Sequence, residues 1–166
     1  MWALPYNPFI RGWFLSIVRI DIGSGNYCRA DVCMDINPFG TGVGYDPTKF
    51  DFIAPKSQLY DYVIADANFN LPFRDNAFES ATMIHVIEHL RCPYTTLMEI
   101  KRVLKPGGSL IIVTPNSYKN MADMYDRTHI YSFTPYSLES LCRLVFTNVS
   151  IQLIQHDLDL MANCSI

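Results

Sequence analysis

The sequence predicts an α/β fold: an open, mostly parallel sheet of six to seven strands with helices on both faces, in one minimal domain of 166 residues. Three observations predict this fold. Apolar, β-branched runs of strand length alternate with segments of helical period. The run SLIIVT at 109–114 is almost entirely apolar, as in strands buried on both faces of a parallel sheet. The last two runs are joined by too few residues for a parallel return, so the last strand is expected to be antiparallel.

Seven runs have the composition of strands. The first opens into a turn at Gly23, and Asn37-Pro38 ends the second. Glycines and prolines punctuate residues 39–57, which we interpret as a loop with one short helix. The predicted strands are Phe14–Ile22, Ala30–Ile36, Tyr60–Ala65, Ser80–Val86, Ser109–Thr114, Val149–Gln155 and Leu158–Ile166.

Two segments are predicted to be helices. Pro93 occupies a first-turn position, and the KPGG sequence at 105–108 ends the first helix. Thr134 and Pro135 begin the second helix as its N-cap and first residue. The apolar positions that predict the core-facing sides are Leu97, Ile100 and Leu104 in the first helix and Leu138, Leu141 and Val145 in the second.

Composition excludes several classes of protein. Thirteen basic against sixteen acidic residues give a net charge of −3, which argues against a strongly basic nucleic-acid binder. Five cysteines without a C-x-x-C pair indicate free thiols in a reducing compartment, so a cytoplasmic location is expected. No run of 18 apolar residues is present, and the N-terminus lacks the pattern of a signal peptide.

Chemistry-bearing residues follow three successive predicted strands. Gly23 and Gly25 allow a sharp turn and a close approach of the backbone to a ligand. Asp35, at the end of the second strand, is well placed to accept hydrogen bonds from ribose hydroxyls. Asp66 follows the third strand, where a carboxylate can accept from the exocyclic amine of adenine. Together these residues predict a site for a cationic ligand that carries a ribose and an adenine.

The same motifs carry a family resemblance. DIGSGN at 21–26, CMDIN at 33–37, the LPF-x-DN-x-F and V-x-EHL signatures within 65–90, and LMEIKRVLKPGGSLIIVTPN at 97–116 resemble class I S-adenosylmethionine-dependent methyltransferases of the type 11 group. DRTHIYSFTPYSLESL at 126–141 resembles an element of some small-molecule and glycan methyltransferases. The resemblance implies a Rossmann-like sheet, S-adenosyl-L-methionine as cofactor and S-adenosylhomocysteine as product.

The resemblance also implies roles for individual residues. The residues around the methionine end of the cofactor would be Asp21, Gly23, Ser24 and Gly25, with His85 near the methionine or the methyl group. Asp35 would hold the ribose beside Ile36, and Asp66 with Ala67 would hold the adenine. The sequence departs from the family in two respects: Asn26, Tyr27 and Cys28 stand where a third glycine is usual, and the helix between the first two strands is trimmed.

Methyl transfer requires alignment of donor and acceptor, with a base where the acceptor is a hydroxyl. We expect an oxygen acceptor. The first candidate for the base is His129, oriented by Asp126, and the next are His85 and His89; His156 is expected to be structural. Residues 116–134 are the expected substrate-side loop. Its aromatic residues form a substrate wall or pack the loop: Tyr118, Tyr125, Tyr131, Phe133 and Tyr136.

Other functions fit the sequence less well. A nicotinamide dehydrogenase would have a third glycine and an acid about 20 residues on, whereas Asp35 is only 12 residues after Gly23. His85, Glu88 and His89 match the H-x-x-E-H zinc pattern, but the motif begins at a strand end, so no metal is expected. The alternatives kept open are a non-catalytic or partner-dependent cofactor-binding module and a nucleic-acid or protein N-methyltransferase.

The sequence leaves the acceptor and the partners unassigned. A glycan, a small molecule, a protein and a nucleic acid all remain as acceptors. Residues 1–13, with Trp2, Tyr6 and Phe9, are expected to form a lid over the cofactor or to pack on a partner chain. The apolar composition of a small sheet makes a homodimer an additional expectation.

Overall fold

The computed structural model describes residues 18–25, 28–36, 61–120 and 126–166. The expectations for residues 1–13, for the loop at 39–57, for the start of the first strand and for Tyr125 fall outside these ranges. The elements are β1 (Arg19–Ile22), β2 (Val32–Asp35), β3 (Asp61–Ile64), β4 (Phe78–Ile84), α1 (Pro93–Val103), β5 (Leu104–Pro115), α2 (Pro135–Arg143), β6 (Asn148–Ile154) and β7 (Asp159–Ser165). A 3-10 turn, Ile87–His89, follows β4.

The strands form one seven-stranded sheet in the order β3-β2-β1-β4-β5-β7-β6. The strands from β3 to β5 in this order are parallel, and β7 pairs antiparallel with both β5 and β6. The predicted fold class is therefore confirmed, although the antiparallel strand lies inside the sheet and β6 takes the edge. The strand order reverses between β1 and β4, which is the point where open α/β sheets bind ligands.

The two helices of the described residues, α1 and α2, cover the same face of the sheet, so helices on the opposite face stay a prediction. The connections through α1 and α2 both step from β4 towards β6, and right-handed crossovers that step in one direction place their helices on one face. The connection from β2 to β3 steps the other way and contains residues 37–60, which lie outside the described ranges.

The observed boundaries of helices and strands differ most from the predicted ones around the KPGG sequence. α1 ends at Val103, and Leu104, expected on its apolar face, is instead the buried first residue of β5. The register runs from Phe78 opposite Leu104 to Ser80 opposite Ser109, so the intervening residues form a bulge. Gly107 has φ of +77°, a value that glycine adopts without a steric penalty.

The core lies between the sheet and the helices. Ile20, Ile22 and Met34 of the central strands are fully buried, as are Leu97 and Ile100 of α1. The second helix begins as predicted, because Thr134 accepts a hydrogen bond from the backbone of Ser137 and the Ser137 side chain accepts from the Thr134 backbone.

The cysteines divide into two groups. Cys28 and Cys33 lie next to each other, with Cα atoms 5.6 Å apart, a separation that a disulfide can span. Cys92, Cys142 and Cys164 are free, and of these only Cys92 is exposed.

Candidate active site

The turn after β1 is built from two glycines with left-handed backbone conformations. Gly23 has φ of +69°, and its N–H donates to the carbonyl of Met34 at 2.7 Å. A side chain at Gly23 would overlap Val86, which follows β4, so only glycine lets these two segments meet. Gly25 has φ of +54°, and a Cβ there would face open space. The turn is thus packed on one side and open on the other.

The carboxylate of Asp21 connects β1 to the segment that follows this turn and to β4. Its side chain is buried, with Oδ1 accepting from the Thr82 hydroxyl at 2.8 Å and Oδ2 from the Arg29 N–H at 3.0 Å. Burial raises the pKa of the Asp21 carboxyl to about 6, and the hydrogen bonds and the charge of Arg29 oppose that rise. Asp21 therefore fixes the segment between β1 and β2, where the described residues form no helix, as the sequence predicts.

Asp35 connects the end of β2 to the same turn. Its Oδ2 accepts from the Gly25 N–H at 2.8 Å. The next residue, Ile36, is 66% exposed and presents an apolar side chain at this edge. Ser24 is also at the turn, and its hydroxyl is buried without a hydrogen-bond partner among the described residues.

Asp66 and Ala67 follow β3 at the neighbouring position. Asp66 Oδ1 accepts from the backbone and the side-chain amide of Asn68, both at 2.9 Å. Ala67 is nearly buried, and its carbonyl accepts from the Thr96 hydroxyl of α1 at 2.8 Å. The backbone of Ala65 donates to the carbonyl of Asp35 at 3.0 Å, so the ends of β2 and β3 are held side by side.

His85 directly follows β4 and has φ of +51°, a left-handed backbone conformation that few residues other than glycine adopt. Its Nδ1 lies 3.3 Å from Glu88 Oε1, and its Nε2 lies 3.9 Å from Asp159 Oδ2. Burial alone would lower the pKa of His85, but the hydrogen bond and charge of Glu88 and the charge of Asp159 outweigh it and raise that pKa.

His129 and Asp126 lie in the loop after β5, close to the residues that follow β4. The rings of His89 and His129 meet edge to face with centroids 4.7 Å apart. His129 Nε2 lies 3.6 Å from Asp126 Oδ2, and hydrogen bonds from Thr128 lower the pKa of the Asp126 carboxyl. The loop is anchored because the carbonyl of Glu88 accepts from the N–H groups of residues 130 and 131 at 2.8 and 3.1 Å.

The structure brings His85, His89, His129 and Asp126 together, and sequence reasoning missed two of their partners. Glu88 belongs to the V-x-EHL signature, whose spacing did not assign it a role. Asp159 has no signal in the sequence around it, because it reaches His85 only through the pairing of β7 in the sheet. His156 lies exposed in the turn between β6 and β7 rather than on a strand.

The aromatic residues of the loop have different environments. Phe133 is 5% exposed and packs in the core, stacked on Tyr131 with ring centroids 6.1 Å apart. Tyr118, Tyr131 and Tyr136 are exposed. Within the described part of this set, three tyrosines therefore present surface to a ligand, whereas Phe133 packs the loop.

Comparison with known proteins decides the family. A family model described as a methyltransferase domain matches residues 20–112, more than half of the chain. The chain belongs to this type 11 methyltransferase family. The expected family and fold are confirmed, and S-adenosylmethionine is the cofactor of this family.

Individual relatives agree with this assignment. The ubiquinone/menaquinone biosynthesis C-methyltransferase UbiE of Ruegeria sp. (strain TM1040) is 37% identical over 79 residues, which are 46% of this chain and 30% of that protein. The chain thus spans about a third of that relative. A SAM-dependent methyltransferase from Archaeoglobus fulgidus has a TM-score of 0.66 at 15% identity, over 89% of this chain and 85% of that chain.

A further methyltransferase has the same fold. It comes from a complex with the Haloferax volcanii Trm112 methyltransferase activator, with a TM-score of 0.66 at 14% identity over 89% of this chain and 81% of that chain. Among the described residues of our chain, no helix is long and apolar enough to cross a membrane.

The residues present fit the cofactor of the family. The open side of Gly25 allows close approach, the buried Ser24 hydroxyl has a hydrogen bond to give or accept, and the exposed Ile36 offers an apolar surface to a flat ring. Asp35 and Asp66 supply carboxylate oxygens at adjacent strand ends.

Proposed function

We propose that the enzyme methylates an acceptor that carries an ionisable hydroxyl group, with the oxygen as the methylated atom. The observation that supports this proposal is the cluster of three histidines, two directly after β4 and one from the loop after β5, each within 4 Å of a carboxylate or close to another histidine. The cluster adjoins the glycine turn, because Val86 stands between His85 and Glu88 and packs against Gly23. Groups that can accept a proton are thus adjacent to the proposed cofactor site.

The cofactor would be held by the strand ends. Asp35 would accept from the ribose hydroxyls, Asp66 would accept from the adenine amine, and Ile36 would cover the ring. The backbone of Gly23 and Gly25, with the hydroxyl of Ser24, would face the methionine end. The cofactor supplies a methyl group already activated by its sulfonium, so alignment of the acceptor contributes much of the catalysis, up to roughly 7–11 kcal/mol.

His129 is the proposed base. Asp126 Oδ2 lies 3.6 Å from Nε2 of its ring and would stabilise the positive charge that the ring gains when it takes a proton from the acceptor. A base in this position accelerates a reaction by about 10²–10⁴-fold. His85 is less suited to this task because its raised pKa favours the protonated ring, and we propose that it helps to orient the acceptor instead.

Carbon is a second candidate for the methylated atom. UbiE is named a C-methyltransferase, and ionisation of a ring hydroxyl activates a neighbouring ring carbon as well as the oxygen. Reaction with ¹³C-methyl-labelled cofactor and a demethylmenaquinol analogue, followed by NMR, would distinguish the two, because methyl groups on oxygen and on carbon have different chemical shifts.

Other features remain proposals. The complex of the Trm112 activator with a methyltransferase of the same fold supports a partner-dependent enzyme. A homodimer is the alternative, which size-exclusion chromatography with light scattering would identify. A cytoplasmic location stays a prediction. A non-catalytic binding module and an N-methyltransferase also remain as alternatives.

The first experiment is calorimetric titration of S-adenosylhomocysteine into the wild-type protein and single variants. We expect micromolar binding that weakens at least tenfold in Asp35→Ala and in Asp66→Ala, because each removes charged acceptors of hydrogen bonds. The matched control is Asp61→Ala, an exposed aspartate at the opposite end of β3, which should leave binding unchanged.

The outcome can contradict the proposal in two ways. Absence of binding by folded wild-type protein would remove the cofactor site from this chain on its own. Equal weakening in Asp61→Ala would show that the loss does not come from the strand-end carboxylates.

A further inference from the structure

We propose that Glu88, His89 and His129 form a binding site for a divalent transition-metal ion, for which zinc is the best probe. The ligand atoms of these three side chains lie within 4.8 Å of one another. Glu88 and His89 belong to the turn after β4, and His129 is 40 residues later in the chain. The sequence pattern H-x-x-E-H pairs His85 with His89, but the structure groups a different set.

Glu88 is the residue that points most directly to a cation. It is 1% exposed, and its Oε2 accepts from the Thr114 hydroxyl at 3.0 Å. Its Oε1 is buried and pairs with His85 Nδ1 at 3.3 Å. Burial of a carboxylate is costly, and each positive partner close to it offsets part of that cost. A metal ion between Glu88 and the two histidines would be such a partner.

The hydrogen bond of His89 leaves a lone pair for an ion. His89 Nδ1 lies 3.2 Å from the carbonyl of Thr128, which can only accept, so Nδ1 carries the proton and Nε2 keeps its lone pair. The Thr128 hydroxyl is also an acceptor for His89, since it donates to Asp126 at 2.6 Å. His129 Nε2 lies 3.6 Å from Asp126 Oδ2, and its ring meets the ring of His89 edge to face.

This arrangement is the one that orients histidine ligands in metal proteins, where the second ring nitrogen donates to a carboxylate or a carbonyl. Two imidazoles and one carboxylate suit zinc and similar ions, whereas magnesium and calcium prefer oxygen ligands. Tetrahedral ligands at about 2.0–2.1 Å from zinc are about 3.3 Å apart. Small rotations of the three side chains would therefore bring their ligand atoms from within 4.8 Å to this distance. The fourth coordination position of the ion would stay open.

The catalytic role of the ion rests on the proposed function and refines it. An acceptor hydroxyl at the open position would ionise more readily, because a bound cation lowers the pKa of its oxygen ligand. The O–H bond breaks and its proton passes to solvent, while the oxygen forms a bond to the methyl carbon and the sulfur–methyl bond breaks. With an ion bound, His129 would be a ligand of that ion, and this role would replace the role of base proposed above for the protein without metal.

The test is titration of chelator-treated protein with zinc in competition with a chromogenic chelator. We expect one equivalent to bind, with affinity at least tenfold lower in His89→Gln and in His129→Gln. The matched control is His156→Gln, the exposed histidine of the β6–β7 turn, and Cys92→Ser tests the exposed thiol; both should bind as wild type. Asp126→Asn, an exposed position, should also weaken binding and is expected to fold even if a histidine variant does not.

Several results would overturn the inference: no stoichiometric zinc, zinc lost in Cys92→Ser, or wild-type affinity in Asp126→Asn and both histidine variants. Calorimetric titration of S-adenosylhomocysteine into the same samples separates the two proposals. Cofactor binding without zinc would reject only the metal site, whereas zinc without cofactor binding would reject only the proposed function.

Discussion

At the scale of single residues, the two aspartates of β1 and β2 contribute to the site in different ways. Asp35 lies half-buried at a strand end, where its carboxylate already holds the Gly25 N–H. Asp21 is enclosed beneath the turn and touches Thr82 and Arg29. The motif spacing predicted that both would matter, but it could not assign the supporting role to Asp21, because burial depends on strands that are distant in sequence.

The raised pKa of Asp21 predicts a pH dependence of stability. The folded carboxyl titrates near pH 6 and the unfolded one near 3.9. The folded state therefore binds the extra proton, and this contribution to stability is complete below about pH 4 and lost as the pH rises through 6. Relative to Asp21→Asn, the wild-type free energy of unfolding should fall by about 1 kcal/mol between pH 5 and pH 7.5. Urea unfolding at each pH measures this free energy. Identical pH profiles for the wild type and Asp21→Asn would contradict the raised pKa of Asp21.

At the scale of elements, the segment between β3 and β4 is held to α1 by one arginine. Arg102 donates to the carbonyls of Leu71 and Phe73, at 3.0 and 2.8 Å, and pairs with Glu99 and Asp75. These contacts give the LPF-x-DN-x-F signature a structural basis, since they hold the segment that follows Asp66. Caps, prolines and apolar periods predict both helices, because those signals are local. The bulge in β5 has no such signal, so its glycines predict only the end of a helix.

Substitution of Arg102 should destabilise the protein. Hydrogen bonds to charged groups contribute about 1.5–3 kcal/mol, and partial exposure of this side chain reduces their effect, so we expect Arg102→Met to lower the free energy of unfolding by about 2 kcal/mol. Urea unfolding provides the measurement. Arg143→Met on α2, whose exposed arginine pairs with Glu139, is the control and should lose less than about 1 kcal/mol. Equal losses in the two variants would refute the special role of Arg102.

At the scale of the whole molecule, the candidate site gathers residues from the ends of β1 to β4, from the loop after β5 and from the start of β7. The strand-end carboxylates could be predicted from sequence because parallel strands bring their carboxyl ends to one edge. The contacts of His129 with His89 and of Asp159 with His85 could not be predicted from sequence, because both depend on how later segments of the chain pack against the sheet.

A ligand that joins these segments should stabilise the fold. S-Adenosylhomocysteine at 100 times its dissociation constant should raise the free energy of unfolding by about 2.7 kcal/mol. For a domain of this size, that corresponds to an increase in Tm of roughly 5–10 °C. Differential scanning fluorimetry measures the shift, which should be smaller in Asp35→Ala at the same concentration. An unchanged Tm at saturating ligand would argue against a site that spans the sheet.

The position of β7 has a consequence for how the sheet assembles. β6 is made before β7 but reaches β5 only through it, so the order of synthesis differs from the order in space. The two strands can pair early as a local hairpin, whereas docking of that hairpin onto β5 must close a much longer loop. Until it docks, β5 exposes an unpaired edge to other chains, and Asp159 is absent from the side of His85. Completion of the site and protection of the β5 edge therefore depend on the same docking step.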